Sequence, residues 1–191
     1  MSEEKTKIAV SKILRGDAGA FKEFVDNYKR LVAHIVFRMV KSSADRDDLC
    51  QEVFIKAYEN LANFHFQSKV STWLAKIAYN ACLNYVEKKR IPLYEDSVSH
   101  DDAFGELPSI SSSPIDVFEQ DEATNRLMLE IGLLPVAYRT IVTLFHLDEL
   151  SYGEIGNVMD MPAGTVKSYL FRARTMLRER MMQKYQKEEL C

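Results

Sequence analysis

The sequence is poor in the residues that build covalent or catalytic frameworks. Three cysteines in 191 residues, Cys50, Cys82 and Cys191, form an odd set without CxxC spacing, which gives neither a disulfide framework nor a zinc knuckle. Seven glycines and five prolines are too few for a turn-dense all-β chain or a low-complexity one, and 47% hydrophobic with 28% charged residues excludes a wholly disordered chain. No apolar run approaches the roughly 18 residues that span a bilayer. The start, "MSEEKTKIAV", carries acidic residues where a secretory signal is basic, so the expected location is cytoplasmic without membrane insertion. Enzyme signatures are missing as well. His34, His65, His100 and His146 stand far apart, and there is no HExxH, no glycine-rich phosphate loop and no GxSxG elbow. Neither catalytic residue, cofactor nor metal site is expected.

What is present is helical pattern and partitioned charge. The net charge of −3 conceals three segments: residues 1–92 carry 16 basic against 11 acidic residues, residues 93–121 carry none against 8, and residues 122–191 carry 9 against 9. Within the last segment, residues 163–187 hold seven basic residues and only Glu179 opposing them. Both ends can face phosphate, and the middle cannot. That middle, with Pro108, Pro114 and a serine run, has no sustained helical period and fits a linker, whose simplest function is that of a solvated spacer. The expected architecture is all-α: two small helical domains, 1–92 and 122–191, joined by an acidic flexible linker at 93–121.

In the first domain Asp17 is placed to cap a helix carrying Phe21, Phe24, Val25 and Tyr28, continued by Leu31, Val32, Ile35, Val36 and Met39. Asp45 precedes "DRDDLCQEVFIKAYENLANF", where Leu49, Val53, Ala57 and Leu61 recur at fours. Phe54 and Tyr58 widen that stripe, and Asp47, Asp48, Gln51, Glu52 and Lys56 stay outside. Such an acidic face is usually just solvated, and it equally suits docking on a basic protein surface. After a loop with Phe64, His65, Phe66 and Lys69, Ser71 or Thr72 is expected to cap "TWLAKIAYNACLNYVEKKR". Its core side holds Leu74, Ile77, Ala78, Ala81, Cys82 and Tyr85, while Trp73, Lys76, Asn80 and Asn84 share another face. An aromatic at a helix start is commonly core. Beside Lys and Asn it also offers what single-stranded bases need: a stacking surface, a cation and an amide.

The second domain has a sharper signature. "LSYGE" fits a capping box, with Ser151 at the N-cap, Glu154 at N3, and Leu150 and Ile155 as a hydrophobic staple. The short helix should end near Met159 and turn through "DMP", with Pro162 in the first turn of the next helix. There Val166, Leu170, Ala173 and Leu177 form an inward stripe. Ser168, Phe171, Arg172 and Thr175 point away from it, flanked by Lys167, Tyr169, Arg174 and Arg178. Two helices, a short turn and a basic second helix that opens with Ala163, Gly164 and Thr165 make a helix-turn-helix, as opposed to an ordinary basic surface helix. Gly156 in the first helix implies a close crossing, because glycine there costs about 1 kcal/mol relative to Ala.

Taken together, "DRDDLCQEVFIKAYENL", "STWLAKIAYNACLNYVEKKR" and "LSYGEIGNVMDMPAGTVKSYLFRARTMLRER" resemble, in order and spacing, the extracytoplasmic-function (ECF) group of bacterial RNA polymerase sigma factors. The resemblance covers nearly the whole chain except the acidic connector. It implies that Asp48, Leu49, Gln51, Glu52 and Phe54 lie in the segment that docks on core RNA polymerase. It implies that Phe64, Lys69, Ser71, Thr72, Trp73, Lys76 and Asn80 lie in the part that opens and reads the promoter −10 element. Thr165, Lys167, Ser168, Tyr169, Arg172 and Arg174 then meet the −35 element. Promoter DNA and core polymerase are the implied partners of a chain that is monomeric when free. Many members are held inactive by an anti-sigma factor, and in the family the linker threads through the polymerase. Four positions depart from the family pattern: Tyr169, where Arg is common, Asp160, where Gly is usual and where Asp tolerates a left-handed turn, and Cys50 and Asn84, where other residues are commoner. The other classes left open are a dimeric stand-alone helix-turn-helix regulator and a helical enzyme.

Overall fold

A computed structural model describes residues 3–90 and 122–185. The acidic segment 93–121, expected to be a linker, lies outside the described residues. Among those described are eight α-helices, one 3₁₀ turn and no strand: α1 (Glu3–Leu14), α2 (Ala18–Met39), α3 (Ser43–Asn60), the 3₁₀ turn Leu61–Asn63, α4 (Val70–Arg90), α5 (Glu122–Gly132), α6 (Val136–His146), α7 (Tyr152–Met159) and α8 (Ala163–Tyr185). The chain forms two compact units, the first built on α1–α4 and the second on α5, α6, α8 and most of α7. The all-α expectation is met.

In the first unit Asp17 caps α2 as its sequence position suggests, its carboxylate accepting the Ala20 N–H at 3.0 Å. The apolar stripe of α2 closes on α3 and α4, with α1 laid along α2. Val32, Ile35, Val36, Val53, Leu61, Leu74, Ala78 and Cys82 are essentially sealed from solvent. Two element starts differ from expectation. The N-cap of α3 is Ser42, so Asp45 falls in the first turn, where its carboxylate accepts the Tyr85 hydroxyl of α4 at 2.6 Å. Helix α4 starts at Val70, ahead of Ser71 and Thr72, and the Lys69 carbonyl receives the Trp73 N–H at 3.0 Å. Tyr58 also leaves the buried stripe assigned to it. It is half exposed and meets Phe21 edge-on with ring centroids 5.0 Å apart.

In the second unit the capping box forms. The Glu154 carboxylate accepts the Ser151 N–H at 2.8 Å, and the Ser151 hydroxyl accepts the Glu154 N–H at 3.3 Å. Leu150 and Ile155, the staple, are both buried. Helix α7 ends in a Schellman arrangement: Asp160 is left-handed at φ 52°, and the Met161 N–H returns to the Gly156 carbonyl at 3.0 Å. A Cβ on Gly156 would stand 2.6 Å from the Met161 carbonyl oxygen, so glycine is required there by the turn closing over it. Pro162 sits just before α8, one position earlier than expected, and its carbonyl accepts the Thr165 and Val166 amides at 2.9 and 3.1 Å. Val166, Leu170, Ala173 and Leu177 turn inward against α6, all buried. At the far end of α8, Arg180 and Lys184 reach the Glu130 carboxylate of α5 at 3.0 and 2.8 Å. Burial raises the Glu130 pKa, and these two cations more than offset it, holding the carboxyl below its ordinary range.

Candidate nucleic-acid interface

Helix α8 carries the clearest surface. Its outward face presents Lys167, Ser168, Phe171 and Arg172 in the first turns, followed by Thr175, all exposed. Phe171 is 71% exposed, the highest value among the large hydrophobic side chains of the described residues. A ring so placed in a polar stripe has no packing function in the unit and is available for apolar contact with base edges such as a thymine methyl. Periodicity points it outward, but residue type alone gives it no role. The Ser168 hydroxyl donates to the Gly164 carbonyl at 3.1 Å. Thr165 is half-buried, and Tyr169 is half-buried with its ring 5.2 Å from that of Tyr138 on α6. Arg174 bends back toward the end of α6, its Nη2 lying 3.1 Å from His146 Nε2 and its guanidinium carbon 5.4 Å from the centre of the Phe145 ring.

The loop before α4 and the first turns of that helix form the second surface. Phe64 is buried and lies between two rings, 4.7 Å from Phe66 and 4.9 Å from Trp73. Phe66 is left-handed at φ 54°, a conformation costly for a bulky residue, and Lys7 of α1 covers its ring at 5.7 Å. Trp73 is half-buried, so neither the core nor the stacking-platform reading alone describes it: the ring is seated on Phe64 and still partly solvent-accessible. Lys69 and Asn80 are exposed, and Ser71 and Lys76 are half-buried. Thr72 is 3% exposed and Phe64 7%, so both lie in the interior beneath the face.

On α3 the same sorting applies. Asp48, Gln51 and Glu52 are exposed, whereas Leu49 (4% exposed) and Phe54 (8%) fill the core. Ile55 and Tyr58, 58% and 50% exposed, extend the Asp48–Gln51–Glu52 face by two turns and escape a reading that treats apolar residues as core. The two described cysteines are poor nucleophiles. Burial lifts the Cys82 thiol to about 12, and burial, then the nearby Asp47 charge, lifts that of Cys50 to about 11. Among the described residues no cluster of three or more His, Cys, Asp or Glu is placed to hold a metal ion, and no helix is long and apolar enough to cross a membrane.

Comparison with known proteins shows the family. The Sigma-70 region 2 family model matches residues 24–91, and the Sigma-70, region 4 model matches residues 124–177. The ECF RNA polymerase sigma factor SigW of Bacillus subtilis is 33% identical over 183 residues, 94% of this chain and 98% of its own length. The chain belongs to the ECF RNA polymerase sigma factors. The ECF RNA polymerase sigma-E factor of Escherichia coli K12 is 39% identical over 180 residues, covering 91% of this sigma factor and 93% of its own length. The fold is shared with CnrH, solved in complex with the cytosolic domain of CnrY (TM-score 0.62, 20% identity, 93% of this chain and 97% of that one). It is also shared with the sigma factor RpoE of Bartonella quintana, solved with the anti-sigma factor NepR (TM-score 0.61, 20% identity, 83% and 96% covered). The region 2 match spans α3 and α4, and the region 4 match spans the helix-turn-helix.

Proposed function

We propose that this sigma factor, without catalysis of its own, binds core RNA polymerase and directs initiation by reading the two promoter elements with separate domains, residues 1–92 and 122–191, tethered by the acidic segment 93–121. The observation that carries the reading is the exposed Lys167–Ser168–Phe171–Arg172 stripe on α8, presented by a helix-turn-helix whose capping box, staple and left-handed turn are all formed. Placed in the −35 major groove, Lys167 and Arg172 meet phosphate or guanine acceptors, Ser168 meets a base edge, and Phe171 meets a thymine methyl. In the first domain Trp73, stacked on Phe64, supplies a platform for an unstacked −10 base. Lys69 and Lys76 supply charge for the strand, and Asn80 an amide for a base edge. Phe64 and Thr72 act beneath this face, as Leu49 and Phe54 do beneath the polymerase-binding face of Asp48, Gln51 and Glu52. Its site of action is the cytoplasm. An anti-sigma factor is a further expected partner, a reading supported by the NepR complex of a protein with the same fold.

Reconstitution with purified core RNA polymerase and a promoter library tests this directly. Transcripts from defined start sites that share a −35 and a −10 sequence are expected. Failure to co-elute with core, together with a two-fold symmetric footprint from a dimer, would establish a stand-alone regulator instead.

A further inference from the structure

We propose that His146, backed by Phe145, is a positioning residue for promoter recognition: it holds Arg174 at the margin of α8 in the orientation in which that guanidinium grips the DNA backbone. The inference rests on the reading of α8 as the −35 recognition helix.

The geometry has three parts. Arg174 Nη2 lies 3.1 Å from His146 Nε2, an exposed contact between residues 28 positions apart. The guanidinium carbon lies 5.4 Å from the Phe145 ring centre, within cation–π range. Phe145 is in turn fixed by Tyr152 of α7, with rings nearly parallel at 15° and 5.1 Å apart, and by an edge contact with His146 at 4.9 Å. One arginine of α8 is therefore clasped by the last turn of α6 and, through a stacked ring, by the first turn of α7.

This clasp does little to hold the helices together. Ile141 and Leu144 of α6 and Val166, Leu170 and Ala173 of α8 are already sealed, at 0–1% exposure. A hydrogen bond at the exposed rim adds little to such a core. Its effect falls on the arginine itself, a long side chain that otherwise samples many rotamers and loses that freedom when it binds phosphate. Holding the fork beforehand removes part of that loss. One N–H engages the imidazole, and the guanidinium has five, so a bidentate phosphate contact remains open to it. The imidazole accepts only in its neutral form, with the proton on Nδ1. Burial, then the Arg174 charge, keeps the His146 pKa below its ordinary value, which favours that form at neutral pH.

The test uses holoenzyme assembled from core polymerase and the full chain, on a promoter fragment across a salt series. Arg174→Ala is expected to weaken binding by about five- to twentyfold and to lower the salt slope by about one. His146→Ala should reproduce about half or more of the affinity loss on a logarithmic scale. The double variant should bind no worse than Arg174→Ala, and His146→Gln, whose amide oxygen still accepts, should return within about twofold of the parent. Losses that multiply in the double variant overturn the proposal, as does a His146→Gln variant as weak as His146→Ala. Unchanged binding by Arg174→Ala overturns it too. The −35 reading stands or falls separately, on Arg172→Ala measured alongside.

Discussion

The two surfaces assigned to promoter DNA divide stability and recognition differently. On α8 the division is sharp: Val166, Leu170, Ala173 and Leu177 are buried and hold the helix, while the side chains of Lys167, Ser168, Phe171 and Arg172 are exposed, Ser168 donating locally to the Gly164 carbonyl. On the α4 face the labour is shared. Trp73 rests on Phe64, Phe64 meets the strained Phe66, and Lys7 of α1 covers Phe66, so the side chains proposed to meet a single strand also close the loop that presents them. Duplex reading asks only for a rigid rod with donors on one side. A pocket for an unstacked base needs apolar walls, and apolar walls become part of a core. Substitutions on α8 should therefore separate binding from folding, and those at the −10 face should not.

The largest effect lies under the rod. Gly156→Ala puts a methyl 2.6 Å from a backbone oxygen that cannot move unless the α7–α8 turn opens, so a loss of about 2–4 kcal/mol in the second unit is expected by chemical denaturation. Gly164→Ala, where an added Cβ meets nothing within 4 Å, should stay within about 0.5 kcal/mol. Equal stability of the two variants would remove the close crossing from the account. Next comes Trp73→Ala, expected to lose roughly 1–3 kcal/mol of stability in the first unit and to impair strand opening at the −10 element as well. The first effect reads in urea melts by circular dichroism, the second in fluorescence of a base analogue in the promoter. Opening that fails with stability intact would make Trp73 a pure platform and align the two faces after all.

The contrast explains what the sequence made legible. A cap, a box and a period are local, and Asp17, Ser151 with Glu154 and the inward stripe of α8 are all readable within four residues of themselves, whereas the left-handed Asp160 is expected only from the family resemblance. Gly156 is nearly as local, since the oxygen it avoids is five residues on. No local motif announces the bond from Tyr85 to Asp45 across 40 positions, nor the Glu130 clamp on Arg180 and Lys184 across 50 and 54. Helix α5 is flanked by Asp121 and closed by Gly132, and Pro135 precedes α6, but none of these is part of a reciprocal motif like the Ser151–Glu154 box. Family motifs mislead in another way: they mark segments, and a segment of helix has two sides. Leu49, Phe54, Phe64 and Thr72 sit in motif segments yet face the interior, while Ile55, Tyr58 and Phe171 sit outside the assigned sets yet face out.

Arg172→Ala is the cleanest test of the division on α8. The side chain is exposed on the stripe proposed to face the major groove, so duplex affinity should fall by about 1–3 kcal/mol with relaxed specificity at one −35 position. Stability should change by less than about 0.5 kcal/mol. A matching loss of melting temperature would show that recognition and folding are not separated there either.

The smallest expected effect is a pH dependence in the second unit. The pKa of His146 is depressed in the folded chain by burial and then by Arg174, so the folded state favours the neutral ring more than the unfolded state does. As pH falls below the unfolded value of about 6.5, the unfolded chain takes up the proton first, and stability present above that pH is lost until the folded pKa is passed. Asp148 and Glu149 follow His146 in the chain, and Arg178 follows Arg174 by one turn of α8, yet the causes that set the shift are desolvation and Arg174 alone. Partial exposure keeps the effect small. It should appear as a modest drop in the urea midpoint between pH 7 and 5.5 that His146→Gln reduces, with Trp73 fluorescence, the single tryptophan, following the first unit and circular dichroism following both. An undiminished slope in His146→Gln would mean that the α6–α8 clasp does not govern that titration, and that the rim of α8 is as inert to folding as its outer stripe.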